Sequence, residues 1–399
     1  MARRDDLTAG GSPIPGADLP AAPAPPRRGR WKHWLKRALQ GLAGLVALLA
    51  IGGATYELIA ERLDAHRFPQ RGKSIQLGPE FSNVSLNLDC SGPAPAALGA
   101  ESIPGSVRPT VILDSGLGVP AFGWKFVQDE VAKFAHVCSY DRAGYGWSSA
   151  GPLPRTSLEI AKELHALLAE AGEKGPFVIV GHSFGGFNVR VFTGQYPRDI
   201  SGMVLVDASH EDQVRRQPPA LQAEMEAMSK PPSQVQLILA SVLGHLGVIR
   251  ILQGQEDVGK LPREFVQEIF ALQRPAKFAA ATLAELQSFA QSAEQVRAAG
   301  NLGDRPLIVL TAGKGESAAG QPAAVTQKDL DEVHRIWVDE LQVSEMHLST
   351  TGKRIIVADS GHLIPFERPD AVTAAIHEVY AAAQHGSGNA ADLTTAGQQ

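Results

Sequence analysis

From about residue 73 onward, short apolar runs alternate with amphipathic stretches. "KSIQLG" and "VSLNLDC" alternate apolar and polar positions, as the two strands of a hairpin do. "PTVILDSG" (Pro109–Gly116), "HVCSYDR" (His136–Arg142), "PFVIVGHS", "GMVLVDAS", "PLIVLTAG" and "KRIIVADSGH" are nearly continuous apolar runs, the pattern of strands buried on both faces. "SLEIAKELHALLAEAG" instead lines Leu158, Ile160, Ala161, Leu164, Leu167 and Leu168 along one side of a helix. Apolar strands separated by helices predict an α/β fold with a mostly parallel sheet, helices covering both faces.

One connection breaks this rhythm. Between Ser209 and Leu307 there are about 95 residues with no strand pattern, far beyond the ordinary length of a connection. They read as helices over Pro219–Ser229, Ser233–Leu252, Pro262–Arg274 and Lys277–Ala299, an inserted helical unit spanning about 209–301.

Residues 1–30 show no apolar period and are rich in Ala, Pro, Gly and Arg, which predicts a disordered start; 385–399 reads as a loose tail. Between them and the fold, residues 31–60 carry a different signal. About 19 uncharged residues lie between Arg37 and Glu57, and as a helix rising 1.5 Å per residue they cover about 28 Å, close to a bilayer core. Six cations (Arg27, Arg28, Arg30, Lys32, Lys36 and Arg37) crowd the N-terminal flank, with Trp31 and Trp34 suited to the interface. The positive-inside bias predicts a transmembrane anchor with its N-terminus cytoplasmic and everything after about residue 60 extracytoplasmic. A signal cleaved near Gly52-Gly53-Ala54 and a soluble helix are the alternatives; the run exceeds a usual signal core, and a soluble helix needs no such cation cluster.

Composition narrows the rest. A chain of 399 residues, 44% hydrophobic and 20% charged, has ample material for a large core. A net charge of −5 offers no global basic field for nucleic acid. Two cysteines, Cys90 and Cys138, exclude a cysteine-rich zinc site and allow at most one bridge.

The chemistry concentrates at "VIVGHSFGGFNVR", where an apolar strand runs into Gly181-His182-Ser183-Phe184-Gly185 and then a helix. This G-x-S-x-G turn, together with "LDSGLG", "YDRAGYGWSS" and "SGHLIPFERPD" in that order, resembles the α/β-hydrolase superfamily over about residues 73–384. The resemblance implies an eight-stranded, mostly parallel, doubly wound sheet with the helical insertion after strand 6 acting as a cap. Small neighbours let a serine stand at the apex of a sharp strand-to-helix turn, its hydroxyl lifted into a cleft. Ser183 is thus the expected nucleophile. A serine needs a base, and His362, just past the last strand in "ADSGHLIPFERP", stands where the family keeps its own. The backbone N–H groups of Phe184 and, by resemblance, of Leu117 form the expected oxyanion hole; Ser115-Gly116 replaces the His-Gly that many relatives carry before that position.

The acid that orients His362 has two candidates. Asp207 closes the strand next to the nucleophile strand; Glu316 lies in the Gly-, Lys- and Ser-rich loop after "PLIVLTAG", where most of the family places its acid. Asp207 is favoured, because a strand end holds a carboxylate without help from a flexible loop. Asp141 and Arg142 are expected to brace loops beneath the site, Tyr145 and Trp147 either to line its entrance or to pack the loop, and His182 to be structural or to line the site. In the family's strand order Cys90 and Cys138 sit on adjacent strands, which leaves open both a disulfide and a pair of buried small apolar side chains. The expected activity is that of a membrane-anchored serine hydrolase on a small-molecule carboxylic ester with an apolar part, needing no metal or cofactor. A peptidase, a C–C bond hydrolase and an idle binding module on the same fold are the alternatives.

Overall fold

The computed structural model describes residues 30–93, 108–253, 261–319, 321–322 and 324–386. The segments expected to be disordered, 1–30 and 385–399, lie outside these residues apart from the helix ends at Arg30 and His385–Gly386.

Eight strands form one sheet: β1 Lys73–Gln76, β2 Ser85–Ser91, β3 Thr110–Asp114, β4 Val137–Tyr140, β5 Phe177–His182, β6 Ile200–Val206, β7 Leu307–Ala312 and β8 Lys353–Val357. Their order is β1-β2-β4-β3-β5-β6-β7-β8. The β1–β2 hairpin and the β2–β4 pair are antiparallel, and every other pair is parallel. This is the α/β-hydrolase fold that the strand pattern and the serine turn imply.

The near-continuous apolar strands divide by the two-residue period of a pleated strand. Val111, Leu113, Val178, Val180, Val204, Val206, Ile308 and Leu310 face one side. There they meet helices α2 (Lys125–Val131) and, later in the chain, Pro369–Gly386. Ile112, Ile179, Met203, Leu205, Leu307 and Val309 face the other, against α3 (Ser157–Ala171) and α4 (Phe184–Gln195). Thr156 caps α3 by accepting from Glu159 N, and Gly172, at φ 78°, ends it.

Between β6 and β7 run α5 Gln213–Arg216, α6 Pro219–Ser229, α7 Gln234–His245, α8 Val248–Gln253, α9 Arg263–Gln273, α10 Ala276–Gln287 and α11 Phe289–Arg297. Two stretches that read as single helices are each broken. Ser233–Leu252 turns at Gly247, at φ 72°, and Lys277–Ala299 bends at Ser288, whose hydroxyl turns back to the Ala284 carbonyl. After β7 come α12 Gln327–Ile336, a π-helical turn at Trp337–Leu341, α13 Gln342–Met346 and, past β8, α14 Ile364–Glu367 and α15 Pro369–Gly386.

The chain divides at Gly52/Gly53 into two units. The described part of the first is the beginning of α1, Arg30–Arg67. From Trp31 to Arg67 this helix is long and apolar enough to cross a membrane. It outruns the expected 31–60, and its last turns, from Gly53 on, belong to the second unit, where Arg250 holds both Glu57 and Asp64.

Cys90 and Cys138 face each other across β2 and β4 and are joined by a disulfide.

Candidate active site

β5 ends at His182 and α4 begins at Phe184, so Ser183 alone makes the turn, at φ 52° and ψ −123°. Non-glycine residues held there cost of order 1–3 kcal/mol, which the surroundings must offset. They do so by close approach. A Cβ on Gly185 would lie 2.3 Å from the Asp114 carbonyl oxygen, and one on Gly186 would lie 2.4 Å from the Ala208 Cβ. The Ser183 carbonyl accepts from Gly186 N and Ser209 N at 2.9 Å each, tying the turn to the residues after β6.

The loop after β8 carries His362 to this turn, with Nε2 2.9 Å from Ser183 Oγ and Nδ1 2.6 Å from Asp207 Oδ2. A ring nitrogen facing a carboxylate carries the proton, so Nδ1–H donates to Asp207 and Nε2 is free to accept from the serine hydroxyl. Desolvation opposes charging of this ring, but the hydrogen bond and charge of Asp207 outweigh it and raise His362 above the ordinary histidine value.

Asp207 follows β6 at φ 42° and is buried. Its Oδ2 serves His362; its Oδ1 accepts from Ala312 N and from the indole Nε1–H of Trp337, both at 2.8 Å. Two donors on one oxygen fix the plane of the carboxylate and aim the other oxygen at the imidazole. Trp337 comes from the π-helical turn, an irregularity frequent at functional sites. Nothing in the local sequence around Trp337 marks it, since its partner lies 130 residues away. Glu316, the other candidate acid, is exposed in the loop after β7, where its carbonyl accepts from Gln327; its charge acts on His362 only through space.

His182 lies under the turn. Its Nε2–H donates to the His362 carbonyl at 2.9 Å, and Trp124 meets its ring edge-on. Burial first, and then the neighbouring His362, push His182 down to about 3, so it stays neutral and holds the His362 backbone.

The loop after β3 passes beside Ser183: a Cβ on Gly116 would lie 3.1 Å from the Ser183 Cβ. Leu117 is the next residue. Buried Arg142 grips this loop through the carbonyls of Ser115, at 2.6 Å, and Gly116, at 2.9 Å. The same guanidinium binds Asp114 of β3 and Glu285 of α10 at 2.8 Å each. Asp141 accepts from the backbone of Ala121 and Trp147 and from Asn87, so both residues brace the loops. Tyr145 is buried rather than lining an entrance, its hydroxyl shared between Glu285 and Gly118 N. Glu285 escaped sequence reading because it looks like any helical glutamate. The Phe184 ring is buried against Phe187 and Phe289, so what it can offer the site is its backbone N–H at the start of α4.

Sequence comparison agrees with this architecture. Residues 111–375 match the model of the alpha/beta hydrolase family. The chain belongs to the alpha/beta hydrolase family. It is 32% identical over 134 residues to an AB hydrolase superfamily protein of Gibberella zeae, covering 32% of this chain and 42% of that one. It is 28% identical over 285 residues to a Hormonema carpetanum protein described as a probable transporter, covering 66% of this chain and 38% of that one. The chain thus spans well under two thirds of these curated relatives. Among solved structures, a thermophilic esterase from Thermogutta terrifontis superposes with a TM-score of 0.53 at 19% identity, over 79% of this chain and 100% of its own.

Among the described residues, Cys90, His136, Cys138 and Glu173 place ligand-type atoms within 4.8 Å of one another. Both sulfurs are committed to the disulfide, which leaves His136 and Glu173 as a hydrogen-bonded pair at 3.1 Å.

Proposed function

We propose that this family member is a membrane-anchored serine hydrolase that cleaves carboxylic esters through an acyl-enzyme. The observation that carries the reading is the unbroken chain from Ser183 Oγ through His362 to Asp207, at 2.9 and 2.6 Å, beside a positive-φ serine turn. A binding module has no use for a base within reach of a strained serine.

In this reading Ser183 Oγ attacks the ester carbonyl carbon while its proton passes to His362 Nε2. Asp207 holds the tautomer and stabilises the imidazolium. The oxyanion is received by the N–H groups of Phe184 and Leu117, the first also drawing on the positive end of α4. Collapse expels the alcohol, which takes the proton from His362. A water molecule then releases the acid by the same steps in reverse. A serine at the turn supports this over branches of the fold in which a carboxylate attacks.

The helices between β6 and β7 serve as a cap, because α10 meets the loop after β4 through Glu285 and Thr282, and α11 meets α4, the helix that follows Ser183, through Phe289. Residues 38–56 supply the membrane span, and the cation-rich N-terminal flank keeps that end cytoplasmic. A disulfide in the domain fits the oxidising side of a membrane.

Fluorophosphonate labelling of the full chain tests the reading. Wild type labels and Ser183→Ala does not; Asp207→Asn slows labelling far more than Glu316→Gln. A folded wild type that resists labelling rejects an activated serine.

A further inference from the structure

α7, "QVQLILASVLGH", contains no Asp, Glu, Lys or Arg, and none of its side chains is buried. Val235, Ile238, Leu239 and Val242, at i, i+3, i+4 and i+7, share one face and are 74%, 63%, 55% and 47% exposed. A soluble domain buries such a face or pairs it, since a contiguous apolar patch in water marks an interaction site.

The helix is fastened to one place. Its C-terminal end turns at Gly247, where a Cβ would sit 2.8 Å from the Tyr56 ring, and a Cβ on Gly53 would lie 2.7 Å from the Leu246 carbonyl. Arg250, one turn into α8, clamps both carboxylate oxygens of Glu57 at 2.8 Å and reaches Asp64 at 2.6 Å. Arg274, which follows α9, binds the same Asp64 at 2.6 Å. Gly53 and Tyr56 close the uncharged run of α1, and Glu57 is the first charge after it. The exposed face therefore begins where the apolar run of α1 ends, held by ion pairs that fix α8 to that level.

We propose that α7 is a second membrane element, lying in the boundary between headgroups and acyl chains of the extracytoplasmic leaflet. This rests on the reading of residues 38–56 as a membrane span. The occupant is the bilayer itself: an uncharged face continuous with the end of a spanning segment offers a protein partner no charge by which to be selected, whereas acyl chains require none. Because α7 belongs to the helical segment that also covers the Ser183 loops, the surface gives an ester dissolved in the membrane a path to the site that an ester in water does not need.

Photolabelling separates the possibilities. The full chain is placed in phosphatidylcholine vesicles containing a phosphatidylcholine with a diazirine in its acyl chain, irradiated, digested and mapped by mass spectrometry. Adducts are expected both on residues 31–59 and on the peptide carrying α7. In Ile238→Glu/Leu239→Glu the α7 adducts fall at least fivefold while the anchor adducts persist. The same variant hydrolyses a vesicle-resident long-chain ester at least tenfold more slowly and a soluble short-chain ester at the wild-type rate, which also reports its folding. Adducts on the anchor alone overturn the proposal, as does cross-linking of α7 to a second copy in place of lipid. Adducts on neither region reject the spanning segment on which it rests, and the labelling arm stands whether or not Ser183 is catalytic.

Discussion

At Asp207 four features meet: a positive φ, burial, two donors on one oxygen and the imidazole on the other. Asp207→Asn keeps the shape but presents the wrong partner to Nδ1–H, and kcat/KM is expected to fall by about 10³–10⁴. Trp337→Phe keeps an aromatic ring, smaller than the indole, and removes one hydrogen bond to a carboxylate; kcat is expected to drop about tenfold with KM little changed, by steady-state kinetics. Glu316→Gln should leave both within about twofold. The pH profile follows from His362. In the proposed mechanism the base must be neutral to accept the serine proton, and the His362 pKa lies above the ordinary value, so kcat/KM is expected to rise with pH through a midpoint above about 6.5. Residual activity of Asp207→Asn should show that midpoint moved down, because desolvation of the ring is then opposed only by the through-space charge of Glu316. An unmoved midpoint would mean that Asp207 does not set it. His182 behaves oppositely. With its folded pKa near 3, the unfolded chain binds the extra proton between about pH 6.5 and 3. Its contribution to stability is therefore complete above that window and is lost as pH falls through it, by up to ~1.4 kcal/mol per pH unit. Denaturant titrations of His182→Gln should show a shallower loss of stability in acid than wild type.

Among the elements, the β5–α4 turn is the most constrained. Its glycines exist to allow close approach, at Gly185 to the Asp114 backbone and at Gly186 to the Ala208 Cβ. Gly185→Ala forces strands β3 and β5 to shift relative to the turn, and is expected to cost at least ~1–3 kcal/mol by thermal unfolding. Any folded fraction should lose fluorophosphonate reactivity, because the serine moves with the turn. A variant as stable and reactive as wild type would show that the close approach is dispensable. The helical insertion depends on a different device. Arg142 and Glu285 are both buried and bind each other through two hydrogen bonds, so removing one partner strands a charge inside the protein.

At the scale of the whole molecule, the disulfide staples the hairpin edge of the sheet to its interior. It joins positions 48 apart in the chain, on β2 and β4. The chain-entropy relation gives about 4 kcal/mol for a loop of this size. Chemical denaturation of the Cys90→Ala/Cys138→Ala chain is expected to show a loss of that order, with ester turnover retained at temperatures where the domain stays folded. Retained turnover would separate the bridge, a stabilising device, from the site some strands away. The curated relatives extend well beyond the part this chain matches, so partners and substrates of those larger proteins carry no direct message for it.

Much of this was legible in one dimension. Strands β3 to β7 announce themselves because a strand buried on both faces must be apolar throughout, and the β1–β2 hairpin because one of its sides is not; β8 carries the same apolar run but lies at the sheet edge with Ile355 and Ile356 exposed. Ser183 is readable because the geometry that exposes it demands small residues at fixed spacing, and His362 because it follows the last strand at a short interval. The long α1 and the insertion follow from composition and length. What local pattern could not decide were pairings across the chain. The choice between Asp207 and Glu316 as the neighbour of His362, the hydrogen bond from Trp337, the grip of Arg142 on Glu285 and the joining of Cys90 to Cys138 all depend on strand order and register. The breaks at Gly247 and Ser288 escaped as well, because the apolar period runs through both, and only the packing of α8 on α1 and the back-bond at Ser288 show where the helices stop. Sequence determined which side chains could do chemistry, since residue type and spacing carry that information. Tertiary structure decided which of them meet, since contact is a property of how distant segments are brought side by side.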